Sequence, residues 1–140
     1  MENKHEKVMV FGVFDGIHDG HRFFLNEAQK FGKNLIIVVT PDDTVKFMKD
    51  NSPKYNLMER IQALENEFPK AYIMTGDKKK GVWSPIKEQK PDAIVLGYDQ
   101  DSLGKALKGI LDGYDFDIIQ IKDDHHGDRL HSRFIHKRLE

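Results

Sequence analysis

The sequence contains no cysteine. That absence excludes a disulfide framework, a thiolate metal site and a cysteine nucleophile. It fits a reducing compartment, and a cytoplasmic location is expected. Long apolar runs are missing too. The longest, Leu35 to Val39, is far too short to cross a bilayer, so no membrane partner is expected. Met1 to Lys7 is polar and charged and has no apolar signal-peptide core. Charge of one sign is also lacking. With 22 Lys and Arg against 23 Asp and Glu the net charge is −1, which argues against a nucleic-acid coat and an acidic buffer protein. No internal repeat or low-complexity stretch is evident.

What remains is 140 residues with a hydrophobic fraction of 39%, enough for one domain with a real core, and residues 1–140 are read as that single domain. Five short apolar runs read as strands: Lys7 to Val13, Leu35 to Thr40, Ala71 to Met74, Ala93 to Leu96 and Phe116 to Ile121. Continuous runs of this kind suit strands covered on both faces, as in a parallel sheet. Helical stripes lie between them. His21, Phe24, Leu25, Ala28 and Phe31 form one. Leu57, Ile61, Leu64 and Phe68 form a second, and Leu103, Leu107, Ile110 and Leu111 a third. Trp83 to Glu88 reads as a short turn of helix, and His131 to Leu139 as a last short helix. Right-handed crossovers then give an α/β fold with a doubly wound parallel five-stranded sheet and helices on both faces. Ligands in such sheets sit beyond the carboxyl ends of the strands. The segments to search are Phe14 to His21, Thr40 to Asn51, Gly97 to Asp101 and Lys122 to Ser132.

The sharpest signal is in the first of these. Gly12 to His21 reads G-V-F-D-G-I-H-D-G-H, after a strand and at the start of a helix. A helix N-terminus offers unpaired N–H groups and positive dipole to a phosphate. His18 and His21 add donors able to follow charge onto a phosphoryl oxygen. The plainer reading has Gly16 and Gly20 as turn residues and His21 as a helix cap. Two histidines supply too few ligands for zinc.

This segment resembles the H-x-G-H signature of the nucleotidyltransferase superfamily. Its members include glycerol-3-phosphate cytidylyltransferase, phosphopantetheine adenylyltransferase and FAD synthases. The resemblance implies a Rossmann-like fold, a nucleoside triphosphate and Mg²⁺, with a substrate phosphate attacking the α-phosphorus and pyrophosphate leaving. Lys90 to Gln100 (K-P-D-A-I-V-L-G-Y-D-Q), Asp43 to Lys49 (D-T-V-K-F-M-K), Arg60 within M-E-R-I-Q-A-L, and His131 to Ile135 (H-S-R-F-I) are similar to the archaeal FAD synthases, which adenylylate FMN. That likeness runs from Val8 to Arg138.

On this resemblance the catalytic residues are His18, His21 and Arg60. Val13, Phe14, His18, Gly20, His21, Gly97, Asp99, Ser132 and Arg133 would bind the nucleotide, and Lys46 and Lys49 the acceptor phosphate. The partners implied are ATP and FMN or another phosphorylated small molecule, and, by analogy, a second copy in a homodimer. Val13 stands where threonine is usual, which removes a hydroxyl and keeps the backbone N–H. Asp19 is an unusual acid inside the H-x-G-H, and Arg133 replaces a second serine.

Each role has a plainer counterpart. Phe14 packs at a strand end. Lys46 and Lys49 are surface lysines. Arg60 makes a surface ion pair. Asp99 caps a helix from Asp101 to Leu111, and Ser132 caps the last helix. Arg133 is solvated. Trp83, the sole tryptophan, either packs in the core, which is preferred, or stacks on an isoalloxazine. His125, His126 and His131, near Asp123, Asp124 and Asp128, are read as a solvated loop, and no metal ligands are assigned. Other acceptors keep the same chemistry: glycerol 3-phosphate with CTP, phosphopantetheine with ATP, or a sugar phosphate for surface polysaccharide or lipopolysaccharide. A nucleotide-binding regulator without turnover is the alternative from another class.

Overall fold

The computed structural model describes residues 5–44, 53–79, 81–110 and 113–121, and the backbone of 134–137. The chain runs β1 (His5–Gly12), α1 (Asp19–Gln29), β2 (Gly32–Val39), α2 (Leu57–Glu67) and β3 (Tyr72–Thr75). It continues through α3 (Ser84–Gln89), β4 (Ala93–Leu96), α4 (Asp101–Lys108), β5 (Asp117–Ile121) and β6 (Phe134–Lys137). The strands form one sheet in the order β3-β2-β1-β4-β5-β6. The first five are parallel, as their apolar runs predict.

Alternation along each strand explains the two helical layers. Val8 and Val10 of β1 pack with Leu25 and Ala28 of α1 and Leu64 of α2. Met9, between them, points to the opposite face, with Ile86 of α3 and Leu107 of α4. A strand buried on both sides must be apolar at every position, which is why these segments show no polar alternation. The winding reverses between β1 and β4. Their pairing covers only Val8 with Ala93 and Met9 with Ile94, whereas β1 and β2 stay in register to Gly12 and Val39. Toward their carboxyl ends β1 and β4 therefore leave the crevice where doubly wound sheets take ligands.

The opposite edge is pinned. The Asp92 carboxylate accepts the N–H groups of Glu6 and Lys7 at 3.0 and 2.9 Å. His5 donates from Nδ1 to the Phe31 carbonyl at 2.9 Å, and its Nε2 lies 3.1 Å from the Asp117 carboxylate. The starts of β1, β4 and β5 are thereby tied through side chains.

The last segment departs from expectation. The short helix expected over His131 to Leu139 is not formed at Phe134–Lys137, which pairs antiparallel with β5 from Ile118↔Lys137 to Ile121↔Phe134. A helix of that length is marginal on its own. An unpaired strand edge gives its backbone a ladder of partners instead. Among the described residues no helix is long and apolar enough to cross a membrane.

Leu107 is fully buried and Met58 is 70% exposed. Leu107→Ala should cost about 2–5 kcal/mol in urea unfolding, and Met58→Ala should stay within about 0.5 kcal/mol.

Candidate active site

The loop after β1 is shaped by close approach. A Cβ on Gly12 would lie 2.7 Å from the Phe14 ring, so only glycine leaves that ring its place. Phe14 itself is buried and has a left-handed backbone, φ 52°. Its ring meets His21 edge-on, with centroids 5.3 Å apart. Gly16 follows at φ 92°, a conformation other residues avoid. The turn reading of Gly16 thus holds, and the turn delivers the chain to α1.

The start of α1 is a capping box built from two histidines. His18 is the N-cap. Its Nδ1 accepts the Gly20 N–H at 3.0 Å, and its side chain also takes the N–H of His21. His21 reciprocates, its Nδ1 accepting the His18 N–H at 3.3 Å. The two rings stack with centroids 3.8 Å apart. A backbone N–H can only donate, so both Nδ1 atoms carry lone pairs, and each neutral ring carries its proton on Nε2. The capping and catalytic readings of these histidines are therefore compatible. The cap also spends the amides of Gly20 and His21 on His18.

Asp19 is drawn sideways. Arg22 donates to it at 3.0 Å and to Glu67 of α2 at 2.8 and 3.1 Å. The Arg22 hydrogen bond holds the Glu67 carboxyl below its ordinary range, and the same pairing raises Arg22. The acid inside the H-x-G-H is thus partly neutralised from the protein side.

Arg60 is placed differently from expectation. It is only 1% exposed. Its Nη1 donates to the carbonyls of Val13 and Thr40 at 2.9 and 2.8 Å, and its Nε to that of Tyr55 at 3.0 Å. Nη2 pairs with Asp42. Four N–H groups go to protein acceptors, so Arg60 is a positioning residue at the carboxyl ends of β1 and β2, and the exposed ion-pair reading fails as well. Two carboxylates complete the clamp. Asp42 also accepts the Leu57 N–H at 3.2 Å, and Asp15 accepts those of Lys54 and Tyr55 at 2.7 and 2.8 Å. Neither Asp15 nor Asp42 is assigned a role from the sequence. The only signal was their place, one in the F-D-G turn and one just after a strand-ending proline.

Gln100 fills the opening between β1 and β4. Its amide donates to the Phe11 carbonyl at 2.9 Å and accepts the Gly97 N–H at 2.8 Å. A side chain thus supplies the bridge that the diverging strands no longer make. Gln120 adds a bond to the Gly97 carbonyl at 3.2 Å. Asp99 is exposed beside this point. The N-cap of α4 is Gln100 rather than Asp99, so the helix-cap reading of Asp99 is excluded. Lys46, Lys49, His125, His126, His131, Ser132 and Arg133 lie outside the described residues.

Residues 9–138 match the cytidylyltransferase-like family. The FAD synthase of Pyrococcus abyssi is 34% identical over 139 residues, 98% of this chain and 94% of its own. That of Methanohalophilus mahii is 29% identical over 95% of this chain and 93% of its own. A solved structure of the lipopolysaccharide core biosynthesis protein from Thermoplasma volcanium superposes with a TM-score of 0.70 at 29% identity, covering 84% of this chain and 96% of that one.

Arg60→Met should lower stability in urea unfolding by about 3 kcal/mol, because buried carbonyls lose their donors; the partly exposed Asp42 keeps the cost at the low end for a broken buried pair. Gly12→Ala should displace Phe14 from His21. It should cost about 1–3 kcal/mol by overpacking and slow turnover beyond what the lost stability explains, as steady-state kinetics at matched folded fraction would reveal.

Proposed function

Because this chain belongs to the cytidylyltransferase-like family and is a nucleotidyltransferase, we propose that it transfers AMP from ATP to FMN, giving FAD and pyrophosphate. The observation that carries the choice of acceptor is the end-to-end likeness to the Pyrococcus abyssi FAD synthase, 34% identity over 98% of the chain. Residues 1–140 act in this reading as one catalytic domain in the cytoplasm.

A phosphate oxygen of FMN attacks the α-phosphorus of ATP. The new P–O bond forms as the bond from the α-phosphorus to the bridging oxygen breaks. Its electron pair leaves with pyrophosphate, and no covalent enzyme intermediate is needed. Catalysis is then positioning and stabilisation of migrating charge. The Nε2–H groups of His18 and His21 are assigned to that charge, and their mutual capping supports the role by fixing both rings before the nucleotide arrives. Val13 and Phe14 are assigned to the α-phosphate. The Val13 carbonyl is already taken by Arg60, and the Val13 N–H is the group assigned to the phosphate. Gly97 and Asp99, beyond β4, are assigned to the nucleoside. Ser132 and Arg133 are assigned to the outer phosphates, and Lys46 and Lys49 to the acceptor phosphate; Ser132, Lys46 and Lys49 rest on sequence resemblance, and Arg133, which departs from the family's second serine, on the bidentate phosphate contact that a guanidinium can supply.

Mg²⁺ is assigned as the ion that arrives on the triphosphate, where it neutralises phosphate charge. The described residues bring no three His, Asp or Glu side chains together around a point, so no step is derived through a protein-held ion.

A sugar-phosphate acceptor is the second reading, favoured by the likeness to the Thermoplasma volcanium protein. A pyrophosphate-release screen separates the two. ATP and CTP are offered with FMN, glycerol 3-phosphate, phosphopantetheine and a hexose phosphate. Release confined to ATP with FMN is expected, and release with CTP or with a sugar phosphate alone would overturn the reading. His18→Ala and His21→Ala should each lower kcat about a hundredfold or more, with a smaller loss of nucleotide affinity. Near-normal turnover in both would remove the histidines from the mechanism.

A further inference from the structure

A cleft of about 420 Å³ opens beside the first loop, at the carboxyl ends of β1 and β2 and against α3 and α4. Its walls are mainly apolar, with Phe11, Val38, Pro41, Trp83, Pro85 and Leu103 contributing. Gly12 and Val13 line it as well, so it is continuous with the loop that carries the two histidines. A volume in the range of about 300–1,000 Å³ with apolar walls and a few polar groups is typical of a small-molecule site.

Trp83 is the odd residue here. It is the N-cap of α3 and makes no side-chain capping bond. Serine, threonine, aspartate or asparagine suit that position, and tryptophan does not. Its backbone is left-handed, φ 59° and ψ 37°, a region bulky residues avoid. Asp77 does the capping from outside, accepting the Ser84 N–H at 2.8 Å. The chain's one tryptophan thus breaks two local rules at the point where it lines a cleft. Strained, locally unsuited residues gather where a ligand is clamped. Phe11 packs perpendicular to the indole, with centroids 6.2 Å apart, and steadies it. Trp83 is half-buried, so one part packs in the core while another faces the cleft.

We propose that this cleft holds the planar ring system of the acceptor, with Trp83 and Phe11 as its aromatic walls and the acceptor's phosphate end toward Gly12 and Val13. The inference rests on the FMN reading above and deepens it. Glycerol phosphate or a sugar phosphate would bring hydroxyls to these walls and leave them poorly paired, whereas an isoalloxazine buries its flat apolar faces.

Because Trp83 is the only tryptophan, its emission reports on the cleft directly. Riboflavin, which carries the ring and no phosphate, cannot react and is the first probe; FMN is the second. Saturable quenching of Trp83 emission by both is expected in the wild type. In Trp83→Ala the KM for FMN should rise about tenfold, as for loss of one stacking platform, while the KM for ATP moves less than about threefold. Trp83→Phe should recover part of the loss, and circular dichroism would verify that both variants fold. Leu103→Arg, which crowds the cleft from α4, should weaken riboflavin binding by a similar factor. If the wild type makes FAD and Trp83→Ala keeps its KM for FMN within twofold, the ring site is overturned and the FMN reading stands. If the wild type makes no FAD yet riboflavin quenches saturably, the FMN reading falls and the ring site stands. Absence of both FAD and quenching removes both.

Discussion

One buried guanidinium holds the geometry on which the site depends. Arg60 lies on α2, yet its donors reach Val13 beyond β1, Thr40 beyond β2, Tyr55 before its own helix and the Asp42 carboxylate. An arginine can do this because its fork is planar, multidentate and always charged. The arrangement has a cost, since a buried cation must be paired, and Asp42 pairs it. The result is that two strand ends and the entry to α2 are fixed relative to one another. Asp15 adds a second tie from the first loop to the same entry through Lys54 and Tyr55.

On the other side of the crevice Gln100 performs the matching task with a neutral amide. The strands β1 and β4 part after two paired positions. Gln100 joins the Phe11 carbonyl to the Gly97 N–H across the opening. The backbone groups at the gap thus stay satisfied where the strands part. Arg60 positions the first-loop side and Gln100 the β4 side, each through bonds to backbone groups of the strand ends.

The two histidines show how one pair of side chains caps a helix and, in the proposed reaction, would serve the chemistry as well. Their Nδ1 atoms are spent on capping α1, which fixes the tautomer and leaves the proton on Nε2. Preorganised donors of that kind need no reorganisation as charge moves. The acid between them is balanced by Arg22 rather than left facing a triphosphate, and Arg22 is anchored in turn by Glu67. The same loop opens into the apolar cleft lined by Trp83, so the histidine pair and that cleft are neighbours.

The parallel sheet is legible in the sequence, which shows apolar residues at successive positions, as in Leu35 to Val39, because strands buried on both faces require them. The sequence carried the class of chemistry as well, through the resemblance of H-D-G-H, between a strand and a helix, to the nucleotidyltransferase signature. It did not determine β6: Phe134 to Lys137 carries no strong local preference, and the open edge of β5 decides its pairing. Nor did it determine the role of Arg60. The same residue reads as a surface ion pair or a phosphate ligand until the distance from α2 to Val13 and Thr40 is known. The partners of Asp15, Asp42 and Gln100 are likewise out of reach, lying from a few to nearly ninety residues away in the chain. From residue type alone Trp83 reads as core in preference to a ring-stacking residue; only the folded chain places it in a left-handed cap at the wall of a cleft. Local patterning fixes elements and motifs, whereas hydrogen-bond partners and cleft walls are properties of which distant backbone groups meet. Tertiary structure alone decides that.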